Sequence, residues 1–269
     1  MPSIKVVTLN FGRGFSRCGV ERAFKFLSDD RWDIACIQDM WKTNMEDLAA
    51  LFPGAQVFAP MAKHQFGCRR VPVGIGIFSR RLPILSTSVH AYVGNVLPVL
   101  DLEGVLVDAF DNAHPTDLAR VRKTESRLVI FVQIVKDGGC FKISTTHGPR
   151  VSTKDCPDDH QRWSINRLVG ILETEGHFVL AGDFNIPRLT RDGSTGEMYQ
   201  TLFSEALRDC VPSTLKNSLD WDVRGVPNKP DVLVDYFCTD QNSVYEVSNV
   251  QATFGVSDHA AISATVSRG

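Results

Sequence analysis

At 269 residues and 43% hydrophobic, the chain can bury a large core as one α/β domain or two small ones, and no Pro/Gly/Ser-rich linker divides it, so a single domain over 1–269 is expected. A formal net charge of −2 argues against a generally basic face for nucleic acid and leaves room only for a local basic patch. Seven cysteines, odd in number and free of any Cys-x-x-Cys spacing, argue against a disulfide framework or a zinc site and fit a reducing compartment.

The N-terminus runs directly into a strand, Ile4 to Leu9, with no apolar leader and no run of membrane-spanning length, so a cytoplasmic protein is expected. That strand ends at Asn10 before a glycine-rich turn, Phe11 to Gly14, whose spacing matches neither the dinucleotide fingerprint nor the P-loop. Val20 to Asp29 has helical periodicity, and Asp33 to Gln38 reads as a second buried strand that delivers Gln38 and Asp39. Taken alone, Asp39 reads as a cap for the helical segment containing Met45, Leu48 and Leu51. Pro60 to Pro72 reads as a loop carrying Lys63, His64, Arg69 and Arg70, and strands Val73 to Phe78 and Leu82 to Val89 flank Ser79-Arg80-Arg81. Residues 90 to 126 lack clear periodicity and read as a surface excursion suited to substrate selection.

Leu128 to Val135 and Phe141 to Thr146 give a hairpin signal across Asp137-Gly138-Gly139, and the second strand ends at His147. Asp158 to Leu172 is an amphipathic helix. His177 to Pro187 follows as an apolar run that breaks at Gly182 and presents Asp183 and Asn185 two residues apart. In extended chain those side chains point the same way, so a carboxylate and an amide can address one phosphoryl oxygen, metal or water. An Asx-type turn is the plainer reading of the same pair. Met198 to Leu207 suggests a helix, and Val211 to Pro230 a Pro/Asn/Asp-rich loop with Trp221 packed beneath it. Strands are expected at Asp231 to Cys238, bearing Asp235, at Val244 to Phe254, and at Ala260 to Val266, opened by Ser257-Asp258-His259.

Six runs thus carry near their ends a group suited to metal or phosphate chemistry: Asn10, Asp39, His147, Asp183 with Asn185, Asp235, and Asp258 with His259. Gathered at one edge of a packed pair of sheets, they would form one acidic pocket with two histidines. Phosphoester hydrolysis needs such a pocket. A hard divalent cation must neutralise the anionic phosphodiester, which suits Mg²⁺, with Mn²⁺ as a substitute, on Asp39 and Asp183 or Asp258. An imidazole polarised by a carboxylate takes the proton of the attacking water, a contribution of roughly 10²–10⁴-fold. His259 with Asp235 fits that role.

Thr8-Leu9-Asn10, Ile37-Gln38-Asp39, Gly74 to Arg80, Thr146-His147, Gly182-Asp183-Phe184-Asn185, Val234-Asp235-Tyr236 and Ser257-Asp258-His259 resemble, in that order, the motifs of the endonuclease/exonuclease/phosphatase superfamily. These are deoxyribonuclease-I-like metal-dependent phosphoesterases. The resemblance implies an α/β fold, a two-sheet β-sandwich flanked by helices in four layers, with one active site at one end. It implies Asp39 as the acidic metal ligand with Asn10 beside it and Asp258 helping to hold a metal. It further implies that Asp183 positions the attacking water, Asn185 holds a phosphate oxygen, His147 stabilises the transition state, and Asp235 polarises His259. Two departures stand out. Asp39 replaces the usual Glu, shortening the reach by about 1.5 Å, and Gly148-Pro149 stands where many relatives carry a bulkier residue.

The function expected is a Mg²⁺-dependent phosphodiesterase or endonuclease, a monomer, cutting nucleic acid whose backbone is tracked by Arg69, Arg80 and Arg150. The same chemistry on a lipid or small phosphoester, as in sphingomyelinase-like or inositol-phosphatase-like relatives, is the alternative, lowered by the lack of a membrane-inserting hairpin. A catalytically weakened binding protein is a third reading, invited by Asp39.

Overall fold

Strand-forming runs account for most of the secondary structure in a computed structural model that describes residues 1–12, 17–66, 69–94, 125–149, 157–190, 192–226 and 231–269. Most of the 90–126 excursion and the substrate-binding candidate Arg150 lie outside the described residues. The strands form two six-stranded sheets. The first is ordered β11 (Tyr245–Thr253), β12 (Ala261–Arg268), β1 (Ser3–Asn10), β2 (Ile34–Trp41), β4 (Arg69–Ser79) and β3 (Gln56–Phe66). The second is ordered β5 (Ile84–Val93), β6 (Arg127–Lys136), β7 (Gly139–His147), β8 (Val179–Asp183), β10 (Asp235–Asp240) and β9 (Leu207–Asp209).

Each sheet has one parallel pair near its centre, and this sets where the polar strand ends go. Helix α1 (Arg17–Leu27) crosses over from β1 to β2, and α3 (Asp159–Thr174), after the short α2 (Met45–Leu51), crosses over from β7 to β8. Parallel neighbours exit at the same edge. Asn10 therefore lies opposite Gln38, and His147 opposite Asp183. The antiparallel strands β12 and β10 begin where β1 and β8 end, so Asp235 pairs with Asp183, and Asp258 and His259 precede β12 beside Asn10. Across the sandwich β1 packs on β8 and β2 on β7, which brings the two sets of exits together.

Both faces of β1 and β2 are buried, which is why they read as unbroken apolar runs. Val6 and Cys36 pack into the core between the sheets with Ile75, Ile143, Ala181 and Phe237. Val7, Leu9, Ala35 and Ile37 face Ala23, Leu27 and Leu48 of the helices. Full burial of one such large aliphatic or aromatic side chain contributes about 1.5–3 kcal/mol. Helix α3 opens with a complete capping box between Asp158 and Gln161. No helix among the described residues is long and apolar enough to cross a membrane.

Three local expectations differ from the structure. Pro60 to Pro72 is not a loop but the paired arms of β3 and β4, in register from Gln56 with Phe78 to Phe66 with Arg69. Pro60 is tolerated because β3 is an edge strand with a register shift there, and Pro72 because β2 pairs with β4 only as far as Val73. The helix expected over Met198 to Leu207 is shorter, α4 (Glu197–Thr201), and passes through a π-helical turn at Leu202–Ala206 into β9, which covers the edge of β10. Asp39 caps no helix; α2 starts after Asn44 with no side-chain cap bond.

Candidate active site

The exits line a cleft of about 260 Å³ that takes in Asn10, Asp39, His147, Asp183, Asn185, Asp258 and His259. Its floor is the end of β8. Asp183 is buried and accepts from Asn10 Nδ2 at 2.7 Å through Oδ2 and from the Asn185 N–H at 2.7 Å through Oδ1. The second bond is an Asx turn, and Asn185 has φ +53°, a left-handed conformation that Asn tolerates better than most residues. The turn carries the amide as well: Asn185 Nδ2 donates to the Gly148 carbonyl at 3.0 Å.

Gly148 is explained by the same junction. A Cβ there would stand 2.0 Å from the Phe184 carbonyl oxygen, so only glycine lets the chain leaving β7 lie flat on the exit of β8. His147, the last residue of β7, is thereby held between two carboxylates, with Nε2 3.5 Å from Asp183 Oδ2 and Nδ1 3.1 Å from Asp39 Oδ1. Its backbone carbonyl accepts from Tyr92 at 3.1 Å and Arg127 at 3.4 Å. Behind it, buried Gln38 ties the sheets together, donating to Thr8 at 3.0 Å and to Thr145 at 2.8 Å.

Asp39 reaches the cleft because β2 breaks its register between Ile37 and Met40, where Asp39 takes φ +50°. A bulge re-aims a side chain that regular pleating would direct elsewhere. On the far wall, His259 Nδ1 donates to buried Asp235 at 2.9 Å. Burial works against a charged imidazole, but the charge and hydrogen bond of Asp235, with Asp183 and Asp258 behind, raise His259 to about 9. Burial, opposed by His259, likewise leaves Asp235 above the usual carboxylate range.

A residue with no sequence signal of its own completes this wall. Arg224 donates through Nε to the Asp258 carbonyl at 3.1 Å, and its Nη2 lies 3.1 Å from Asp258 Oδ2 and 2.9 Å from His259 Nε2. Nη2 can donate to Nε2 when the ring is neutral with its proton on Nδ1, the form that leaves a lone pair on Nε2.

Four carboxylates and two amides make an oxygen-rich donor set of the kind a hard divalent cation prefers. Asp183, Asp235 and His259 offer ligand atoms within 4.8 Å of one another. Two of those atoms already face each other, and Asp183 Oδ2 is bonded to Asn10. Asp39 and Asp258, on the first-sheet side, complete the set, with Gly12 required against Asp258: at φ +58°, a Cβ there would stand 1.6 Å from Asp258 Oδ1. The residues present fit a divalent cation.

Of the basic residues expected to track a substrate, Arg80 is placed differently. Arg80 donates to the carbonyls of Trp32, Leu27 and Asp29 at 2.8–3.0 Å and lies over Phe52, fastening the end of α1 rather than lining the cleft. Arg69 begins β4 opposite Phe66. Arg188, a further arginine five residues after Asp183, is held by Asp209 at 2.5 Å and the Val211 carbonyl at 2.9 Å.

Comparison with known proteins agrees with this fold. A sequence profile described as the Endonuclease/Exonuclease/phosphatase family matches residues 8–259. Among curated proteins there is no match. Similar solved structures include an endonuclease/exonuclease/phosphatase from Beutenbergia cavernae, with 14% identity, a TM-score of 0.71, and coverage of 100% of this chain and 72% of that one. D. rerio TDP2 complexed with a single-strand DNA product has 11% identity, a TM-score of 0.64, and coverage of 98% and 99%. Sphingomyelinase C from Streptomyces griseocarneus has 14% identity, a TM-score of 0.62, and coverage of 98% and 99%. At these identities the structural likeness speaks for the fold, and the profile for the lineage. The chain belongs to the endonuclease/exonuclease/phosphatase family, whose members are generally divalent-metal-dependent phosphoester hydrolases.

Proposed function

We propose that the protein is a Mg²⁺-dependent phosphodiesterase acting on nucleic acid by water attack at phosphorus, with Mn²⁺ able to substitute. The observation that carries this reading is the His259–Asp235 pair, 2.9 Å apart and buried, set beside Asp183, with Nε2 turned into the cleft. His259 Nε2 takes the proton of a water that Asp183 orients. The water oxygen bonds to phosphorus as the bond to the leaving oxygen breaks, and that oxygen is protonated in turn. His147 and Asn185 face the phosphoryl oxygens, whose charge rises in the transition state. Asp39, with Asn10 and Asp258, would hold a divalent cation, which would supply neutralisation of the phosphoryl and leaving-group charge.

A small phosphoester or lipid headgroup is the second reading, favoured by the modest volume of the cleft, about 260 Å³, and by the position of Arg80 away from its lining. One panel tests both. Plasmid, single-stranded DNA, RNA, sphingomyelin and bis-p-nitrophenyl phosphate are each incubated with Mg²⁺, Mn²⁺ or EDTA, using wild type and His259→Ala. Hydrolysis that EDTA abolishes and the substitution lowers by about 10²–10⁴-fold is expected. Turnover indifferent to both would overturn the proposal.

A further inference from the structure

Among the described residues lining the cleft, Arg224 is the only Lys or Arg, beside the three carboxylates of Asp39, Asp183 and Asp258 that an anionic substrate must approach. Its placement is built into the backbone. The Arg224 N–H donates to the Asp220 carbonyl at 3.0 Å, while Asp220 itself binds the Gly255 N–H at 2.6 Å and the Asp258 carbonyl at 2.9 Å. The guanidinium lies over Trp221, 5.3 Å from the ring centre, which limits its path to the cleft side.

An arginine that merely neutralised Asp258 would be complete with the carboxylate and the carbonyl. The contact at 2.9 Å with His259 Nε2 goes further, because that lone pair is where the water's proton must arrive. Water and Nη2 cannot share it. Nη2 therefore leaves Nε2 during turnover, and the acceptors that arrive with the substrate are phosphoryl oxygens, which a guanidinium binds well. We propose that Arg224 is a substrate ligand that holds a non-bridging oxygen of the scissile phosphate beside His259, with its Nε bond to the Asp258 carbonyl serving as pivot. This rests on the hydrolase reading above and adds to it the cationic contact that Arg80 does not supply.

The test uses wild type, Arg224→Gln and Arg224→Lys, with bis-p-nitrophenyl phosphate and Mg²⁺ for kinetics and inorganic phosphate titrated calorimetrically into the Mg²⁺-loaded protein. Arg224→Gln is expected to lose about 10–100-fold in kcat/KM and a similar factor in phosphate affinity, with its thermal midpoint near wild type. Arg224→Lys should recover part of both. Phosphate affinity unchanged in both variants would overturn the proposal, even if kcat/KM fell, since a packing role alone produces that pattern. If wild type cleaves no phosphoester with either metal, the hydrolase reading fails and this inference with it. Active wild type with unaffected variants sinks the role of Arg224 alone.

Discussion

Asp39 shows how one backbone irregularity can decide what a side chain is for. Left-handed φ is tolerated by Asp far better than by longer acidic residues, so the bulge in β2 and the short carboxylate belong together. Asp39→Asn keeps the turn and removes the charge. It is expected to weaken Mg²⁺ activation at least about 10-fold while leaving the urea midpoint close to wild type, as metal titrations of activity and of stability would show. His259 offers a sign to check. Asp235 raises its affinity for the proton, so Asp235→Asn lowers it, and the acid limb of the kcat/KM profile should move to lower pH as kcat falls. A limb that stayed in place would mean that another group is the base.

At the scale of elements, the site is a junction of strand exits whose spacing is set by glycine contacts. Gly148→Ala would drive a methyl group into the Phe184 carbonyl and separate β7 from β8, carrying His147 away from Asp183. A loss of about 1–3 kcal/mol in urea unfolding is expected, together with reduced kcat. These exits are legible in sequence because each is an apolar run broken by a polar group, as at Leu9-Asn10 and Gly182-Asp183. Arg224 is not. It lies in a loop without periodicity, and its partners are a carbonyl and an imidazole about 35 positions away that only the fold brings near. The nearest signal is its place three residues after Trp221, a spacing at which a turn brings cation and ring together. Arg80 misleads for the converse reason: an arginine after a strand resembles a rim residue until its carbonyl partners on α1 and the segment after it are known.

Across the molecule, the buried core also holds ionisable side chains that fold as neutral groups. Burial raises Tyr92 to about 12, and pushes Tyr236 well above 10 and the Cys36 thiol upward. These groups keep their protons in the folded state where the unfolded chain loses them. Their contribution to stability is complete below their unfolded values and is lost as pH rises through the folded ones. Tyr92→Phe should therefore flatten the alkaline fall in urea stability by on the order of 2 kcal/mol, while costing about 1 kcal/mol near pH 7 for the bonds to Thr146 and the His147 carbonyl. The claim on which the rest depends is that the two sheets bring water, base and phosphoryl group together in one cleft. Hydrolysis of a phosphodiester in ¹⁸O-labelled water, followed by mass spectrometry of both products, tests it most directly. The label should appear on phosphorus, only when Mg²⁺ or Mn²⁺ is present, and be lost in His259→Ala; label in the leaving alcohol, or the same incorporation with EDTA, would contradict it.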